Sequence, residues 1–167
     1  MNYHRFTLRL ALAALAVLGL AGAASAQVQV PFKGSLEGTY TAVPADPSNP
    51  LILNVQLDAA GEASQLGAFT YDFPHVVDRT AIPSTGTGIS TFTTANGDQV
   101  FAKISGEATL IVPGLLHGVE KGIITGGTGR FVNASGSFTI ERLIDQAGGT
   151  TIGSFEGTIS TPVLRKL

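Results

Sequence analysis

Two carboxylates sit in matching words near opposite ends of the sequence. Glu37 lies in Gly34-Ser35-Leu36-Glu37-Gly38-Thr39-Tyr40, and Glu156 in Gly153-Ser154-Phe155-Glu156-Gly157-Thr158-Ile159. If these segments are neighbouring strands, both carboxylates fall on the Ser/Glu/Thr face. Two close carboxylates can divide acid and base roles, because one raises the proton affinity of the other. They could also flank a sugar or hold a cation. Glu107 and Glu141 stand in similar contexts. The competing reading is a solvent-facing surface, where Glu and Thr are ordinary residues.

The other candidate chemistry is sparser. His75 and His117 are the histidines outside the N-terminal segment. His75, with Asp78 and Arg79, could act as an acid or base. Neither histidine has metal-ligand spacing such as His-x-His, so no metal site and no cofactor are expected. No serine stands in a Gly-x-Ser-x-Gly elbow. The stretch Gly126-Gly127-Thr128-Gly129-Arg130-Phe131 could cradle an anion through backbone N–H groups, with Arg130 closing on it. It could equally be a sharp structural corner, with Phe131 plugging a barrel end and Arg130 paired to a carboxylate. Phe69, Tyr71, Phe73, Phe101, Phe138 and Phe155 are candidates to line a ligand cavity or to fill a core. Phe69, Tyr71 and Arg130 are the candidate ligand contacts.

The elements that must position these residues read as strands. Phe32 to Val43 alternates with period two, with Phe32, Leu36 and Tyr40 on one face. Pro44, Pro47 and Pro50 then break the ladder. Leu51 to Leu57 is the second strand and Asp58-Ala59-Ala60-Gly61 its turn. Glu62 to Phe73 follows, then a loop or irregular edge from Pro74 to Pro83. Thr87 to Thr94 and Gln99 to Val112 flank Asn96-Gly97, the signature of a type I′ hairpin. Gly106 marks a bend or bulge. Pro113-Gly114 leads to Leu116 to Thr125. After the glycine corner come Ala134 to Leu143, a turn at Asp145 to Gly149, and Thr151 to Ser160. Eight strands with short turns predict an antiparallel barrel or sandwich. The echoed first and last strands favour closure, which makes them neighbours and removes exposed edges.

Composition bounds the remaining possibilities. His4, Arg5 and Arg9, the apolar run Leu10 to Ala24, and Ala24-Ser25-Ala26 form a secretory signal pattern. The expectation is a signal peptide over 1–26, a single β-barrel domain over 27–167, and a secreted or periplasmic address. Losing Arg5 and Arg9 leaves a net charge of about −4, which argues against a nucleic-acid partner. With no cysteine, neither a disulfide framework nor a thiolate metal site exists. No apolar run after Ala26 is long enough to span a membrane as a helix.

The corner Gly126-Gly127-Thr128-Gly129-Arg130-Phe131, followed by a small-residue strand and Gly153-Ser154-Phe155-Glu156-Gly157-Thr158, resembles the allene oxide cyclase and dirigent superfamily. The segment order matches over Phe32 to Ser160. The chain is also similar to exported bacterial proteins of uncharacterised function that share this corner and the Asn-Gly-Asp hairpin. The resemblance implies an eight-stranded antiparallel barrel, with dimers or trimers common among its members. Plant members act on oxylipins or guide phenoxy-radical coupling, but no functional residue of theirs maps onto this chain. The leading functional expectation is a non-enzymatic barrel that binds a small apolar ligand or a partner at its mouth. The second is a cyclase or isomerase that confines an apolar substrate with help from Glu37 or Glu156. The third is a structural surface or envelope protein without a small ligand.

Overall fold

The computed structural model describes residues 27–162, and side chains within 28–160. The expected signal segment lies outside the described residues. Eight strands run in chain order: β1 (Gln27–Asp46), β2 (Asn49–Ala63), β3 (Gly67–Asp78), β4 (Ser84–Thr94), β5 (Gln99–Val112), β6 (Leu115–Gly127), β7 (Gly136–Asp145) and β8 (Thr150–Pro162). A single 3₁₀ turn, Gly129–Phe131, sits between β6 and β7. Each strand pairs antiparallel with the next, and β1 pairs with β8, so the sheet closes into a barrel. The echoed segments are neighbours as expected, with Gly34 opposite Phe155 and Leu36 opposite Gly153.

Strand alternation sorts the side chains. Phe32, Leu36, Leu57, Phe69, Phe73, Phe92, Val100, Phe138, Ile140, Phe155 and Ile159 point inward and are buried. Their neighbours one position away face outward. The β2–β3 connections, with those of β4–β5 and β6–β7, lie at one end of the barrel. This is the closed end. The β1–β2, β3–β4, β5–β6 and β7–β8 connections lie at the other, which is the mouth.

Five phenylalanine rings fill the closed half. Phe32 lies 4.9 Å from Phe155, 5.4 Å from Phe138 and 5.7 Å from Phe92, centre to centre, and Phe69 lies 5.4 Å from Phe92. These spacings suit tilted and edge-to-face aromatic pairs. Burying each ring contributes about 1.5–3 kcal/mol. Gly122 makes room for one of them, because any Cβ there would run into the Phe138 ring. Phe131, delivered by the glycine corner, is buried and packs into the same cluster.

Four local expectations need correction. The bend or bulge expected at Gly106 is not there: Gly106 pairs in unbroken register with Gly86 and Glu120, and the irregularities of β5 fall at Phe101/Ala102 and Leu110/Val112. Asp58 to Gly61 is not a turn. β2 runs on to Ala63, and the chain reverses at Ser64–Leu66, where Gln65 (φ 70°) and then Gly67 (φ 68°) take left-handed conformations. Ser64 ties this turn to β1, its hydroxyl accepting from Lys33 N and donating to Pro31 O, both at 3.0 Å. Gly61 is glycine for close approach, since a Cβ there would press on the Ser35 carbonyl and the Phe69 ring. Pro74 does not end β3, which continues to Asp78. Its missing N–H only interrupts the β3–β4 ladder, between Asp72–Thr91 and His75–Gly88. The Asn96-Gly97 hairpin forms without type I′ geometry. Gly97 N bonds Thr94 O and Thr94 N bonds Asp98 O, both at 2.9 Å, and Gly97 alone has positive φ there. That is a type I turn followed by a glycine bulge.

Candidate functional site

The mouth half of the barrel is built from different residues on the same inward phase. β4 and β5 contribute Ser84, Gly86, Gly106 and Ala108, which leave space where the closed half has rings. Ala42, Val55, Val77, Leu116 and Ile144 make apolar walls, and Tyr40, His75, Glu120 and Arg142 supply polar groups. The space available to water centres is about 60 Å³. At roughly 10–15 Å³ per water, that holds a few waters or one small group. The whole space between the walls is about 600 Å³, partly continuous with solvent.

The charged pair is the main polar feature. Arg142 Nε donates to Glu120 Oε2 at 3.0 Å and Arg142 Nη2 donates to Glu120 Oε1 at 2.6 Å. This is a side-on, two-pronged ion pair, the geometry that guanidinium and carboxylate match best. Only 6% of the Arg142 side chain and 10% of the Glu120 side chain reach solvent. Burying two charges costs several kcal/mol per ion, and their attraction offsets this only with good geometry, so such a pair is weak evidence for stability.

His75 stacks on Phe73, with ring centres 4.1 Å apart and planes 9° from parallel. Its Nδ1 lies 2.9 Å from the Phe73 carbonyl oxygen. A carbonyl can only accept, so Nδ1 carries the hydrogen and Nε2 is left with a lone pair. Burial lowers the His75 pKa below the usual imidazole value. The Phe73 carbonyl and Glu120 oppose that shift, and Arg142 adds to it. The site therefore holds a neutral imidazole next to an ion pair. Tyr40 reaches the Asp145 carbonyl through a long 3.4 Å bond, and burial raises its pKa.

Beyond the pair lie two hydroxyls whose only near partner is each other. Tyr71 Oη and Ser90 Oγ are both buried and make no hydrogen bond of acceptable geometry among the described residues. They are near enough for Ser90 to pull the Tyr71 pKa down slightly, but burial and the Glu120 charge push it up much further. A buried hydroxyl without a partner costs about 1–3 kcal/mol.

The residues singled out in the sequence fall in several places. Glu37 and Glu156 are exposed on the outer wall. Glu37 faces Ile152 and Glu156 faces Lys33, so the two stand four residues, about 13 Å, apart along the β1–β8 seam. The structure does not bring them together. Glu107 and Glu141 are also on the outer wall, and Glu141 lies 3.9 Å from His117 Nε2. Among the described residues no three His, Cys, Asp or Glu side chains are grouped to hold a metal. Asp78 caps Thr80 in the β3–β4 connection, while Arg79 reaches the mouth cavity. Phe69 belongs to the aromatic core, and Phe101 is half-buried on the face of β5 opposite Val100 and Ala102. Tyr71 is buried, within electrostatic reach of the Glu120–Arg142 pair.

Arg130 is at the closed end. Its guanidinium covers the Phe131 ring at 4.8 Å, and its Nε lies 3.8 Å from Asp98 Oδ2. The glycine corner does cradle an anion, but it is the chain's own: Arg130 N donates to Asp98 Oδ2 at 3.4 Å, and a Cβ on Gly129 would collide with that carboxylate.

Glu120 and Arg142 were not singled out by motif. The signal available for them was phase. In Leu116, Gly118, Glu120, Gly122, Ile124 and in Phe138, Ile140, Arg142, Ile144, a charged residue occupies the apolar phase of its strand.

No family model matches the chain, and no curated protein sequence does. Among solved structures, it is similar to the pterocarpan synthase dirigent protein GePTS1 at 14% identity and TM-score 0.58, covering 92% of this chain and 99% of that one. It is also similar to the pterocarpan synthase dirigent protein PsPTS1 at 14% identity and TM-score 0.52, covering 83% and 97%. At this identity the likeness is one of fold: the chain forms an eight-stranded barrel similar to theirs.

Proposed function

We propose that this protein is an exported barrel that binds a small, largely apolar ligand at its mouth, with the ligand's polar end toward Arg142, Glu120 and His75. The observation that carries the reading is the cavity itself: apolar walls ending on a buried, two-pronged ion pair. Ligand sites commonly combine a mostly apolar lining with a few placed polar groups. Exposed Leu110 and Ile111, with Ile82 (95% exposed), surround the mouth with apolar side chains. Export rests on the basic start, the apolar run and Ala24-Ser25-Ala26.

Gly86 offers a direct test. A Cβ there meets its nearest neighbours at 3.7–3.8 Å, ordinary contact, so a larger side chain enters the cavity without straining the backbone. Native mass spectrometry of wild-type protein from its exporting host should show a small-molecule adduct, and Gly86→Leu should lose it while remaining folded. The same spectra give the oligomeric state, which bears on the expected dimers or trimers. Bare wild-type protein that also ignores added small aromatics would favour a structural envelope role.

A second reading has its own support. His75 presents a neutral base in the cavity beside a carboxylate, and both structural neighbours are named synthases. A cyclase- or isomerase-type enzyme on this barrel would take its carboxylate from Glu120, because Glu37 and Glu156 are outside. Fold analogy alone does not establish that activity. Turnover of a bound adduct by wild-type protein, abolished in His75→Gln, would establish it.

A further inference from the structure

We propose that the Glu120–Arg142 pair is exchangeable: the carboxylate of a small apolar acid takes Glu120's place on the Arg142 fork, and Glu120 turns inward to the hydroxyls of Tyr71 and Ser90. This rests on the reading above, that the mouth cavity takes a ligand, and it names the ligand's chemical class.

Three observations converge on it. First, both of Glu120's oxygens are held by the two parallel donors of Arg142. Any carboxylate that enters the cavity carries the same two oxygens at the same spacing, so it can reproduce these bonds without moving Arg142. Second, Tyr71 Oη and Ser90 Oγ are buried, have only each other within reach among the described residues and make no well-formed hydrogen bond, so at least one O–H has no acceptor. The Glu120 charge already acts on Tyr71. A carboxylate that lost Arg142 would there find two O–H donors, and both hydroxyls would gain an acceptor in the same step. Third, no side chain of β5 stands against the stem of Glu120: its partner there is Gly106, and the Glu120 Cγ lies where a Cβ would be.

The cavity limits the acid's size to about one ring with a short carboxylate arm. The described arrangement is then the unliganded partner of a two-state element, and the acid stabilises the other state by its preference for the Arg142 fork.

The test is a heteronuclear NMR titration with 3-phenylpropionate and, as its neutral counterpart, 3-phenylpropan-1-ol. Wild type, Glu120→Gln and Tyr71→Phe are compared, with folding checked from the same spectra. Gln is a weaker competitor for Arg142, so Glu120→Gln should bind the acid about tenfold more tightly and show no gain for the alcohol. Tyr71→Phe removes a receiving hydroxyl, so it should bind the acid several-fold more weakly and leave the alcohol unchanged. If Tyr71 merely fills the core, its Phe variant would be no less stable and would bind both probes as wild type does, which overturns the exchange. Equal binding of acid and alcohol, unaffected by Glu120→Gln, also overturns the exchange and leaves ligand binding standing. If neither probe binds any of the three proteins the exchange falls as well, and the Gly86→Leu adduct experiment then decides the ligand reading separately. Should Glu120→Gln fail to fold, the Tyr71→Phe arm still decides.

Discussion

The two halves of this barrel follow one alternation rule and fill it with opposite residues. At the closed end the inward phase carries Phe32, Phe69, Phe92, Phe138 and Phe155, whose rings lie within 4.9–6.0 Å of their neighbours. Toward the mouth the same phase carries Gly86, Gly106 and Ala108, then Glu120, Arg142 and His75. The first half is filled ring against ring. The second leaves a cavity and buries two charges. A chain selected for stability alone has little reason to build the second half, since a buried ion pair is often no better than apolar residues of the same volume. The difference teaches that stability is concentrated at one end, while the other carries the features on which the proposed ligand reading rests.

That division can be broken or sharpened by substitution. Phe92→Ala should have the largest effect, a loss of about 3–5 kcal/mol in urea unfolding, because it opens a hole among five rings. Arg142→Met should cost about 3 kcal/mol by leaving the buried Glu120 charge without a counterion, since the Tyr71 and Ser90 hydroxyls can bond it but not neutralise it. Adding Glu120→Leu to it should then restore stability to within about 1 kcal/mol of wild type, or exceed it, while abolishing ligand binding. If the double variant stays as unstable as the single one, the pair holds the fold together and the contrast between the halves fails.

Glycine substitutions probe the contrast more finely. Gly86→Ala should change stability by less than about 1 kcal/mol, since its new methyl makes only ordinary contacts, at 3.7–3.8 Å. Gly122→Ala should cost about 1–3 kcal/mol, because its methyl must displace the Phe138 ring. Equal effects at both positions would mean that the mouth is as tightly packed as the closed end.

The smallest expected effect is on pH dependence. Burial holds the folded His75 pKa below its unfolded value near 6.5. The unfolded chain therefore binds the proton first as pH falls. The stability contributed by neutral His75 is complete above pH 6.5 and is lost as pH drops through the folded pKa. Urea midpoints of wild type and His75→Phe should run parallel above pH 6.5 and converge or cross below it. Parallel curves down to pH 5 would place that imidazole in water.

The frame was legible because it is local. Period-two alternation marked the first three strands, turn residues bounded the later ones, and the Gly-Ser-x-Glu-Gly-Thr echo at Gly34 and Gly153 pointed to the β1–β8 seam. Turns were legible where glycine supplies positive φ, as at Gly97 and Gly114. They were misread where glycine serves another purpose, as at Gly61, whose missing side chain accommodates Phe69. The site was less legible. Glu37 and Glu156 drew attention by repetition, yet they occupy the outward phase. Glu120 and Arg142 occupy the inward phase, but they meet only because β6 and β7 pair in one register, with Gly118 opposite Arg142. Sequence phase could nominate each residue separately, and only tertiary pairing could join them.

The β1–β8 seam has a kinetic consequence. Every other pairing joins strands adjacent in sequence, and each can form as a local hairpin. The seam joins opposite ends of the chain and can zip only after the meander has curled, at a loop-closure cost that the hairpins escape. Until then β1 and β8 are open edges, able to pair with a neighbouring chain as readily as with each other. Refolding yield should therefore fall with protein concentration, and a change confined to the outer wall of the seam, such as Lys33→Glu, which sets two like charges opposite each other at the Lys33–Glu156 pair, should act first on yield and folding rate.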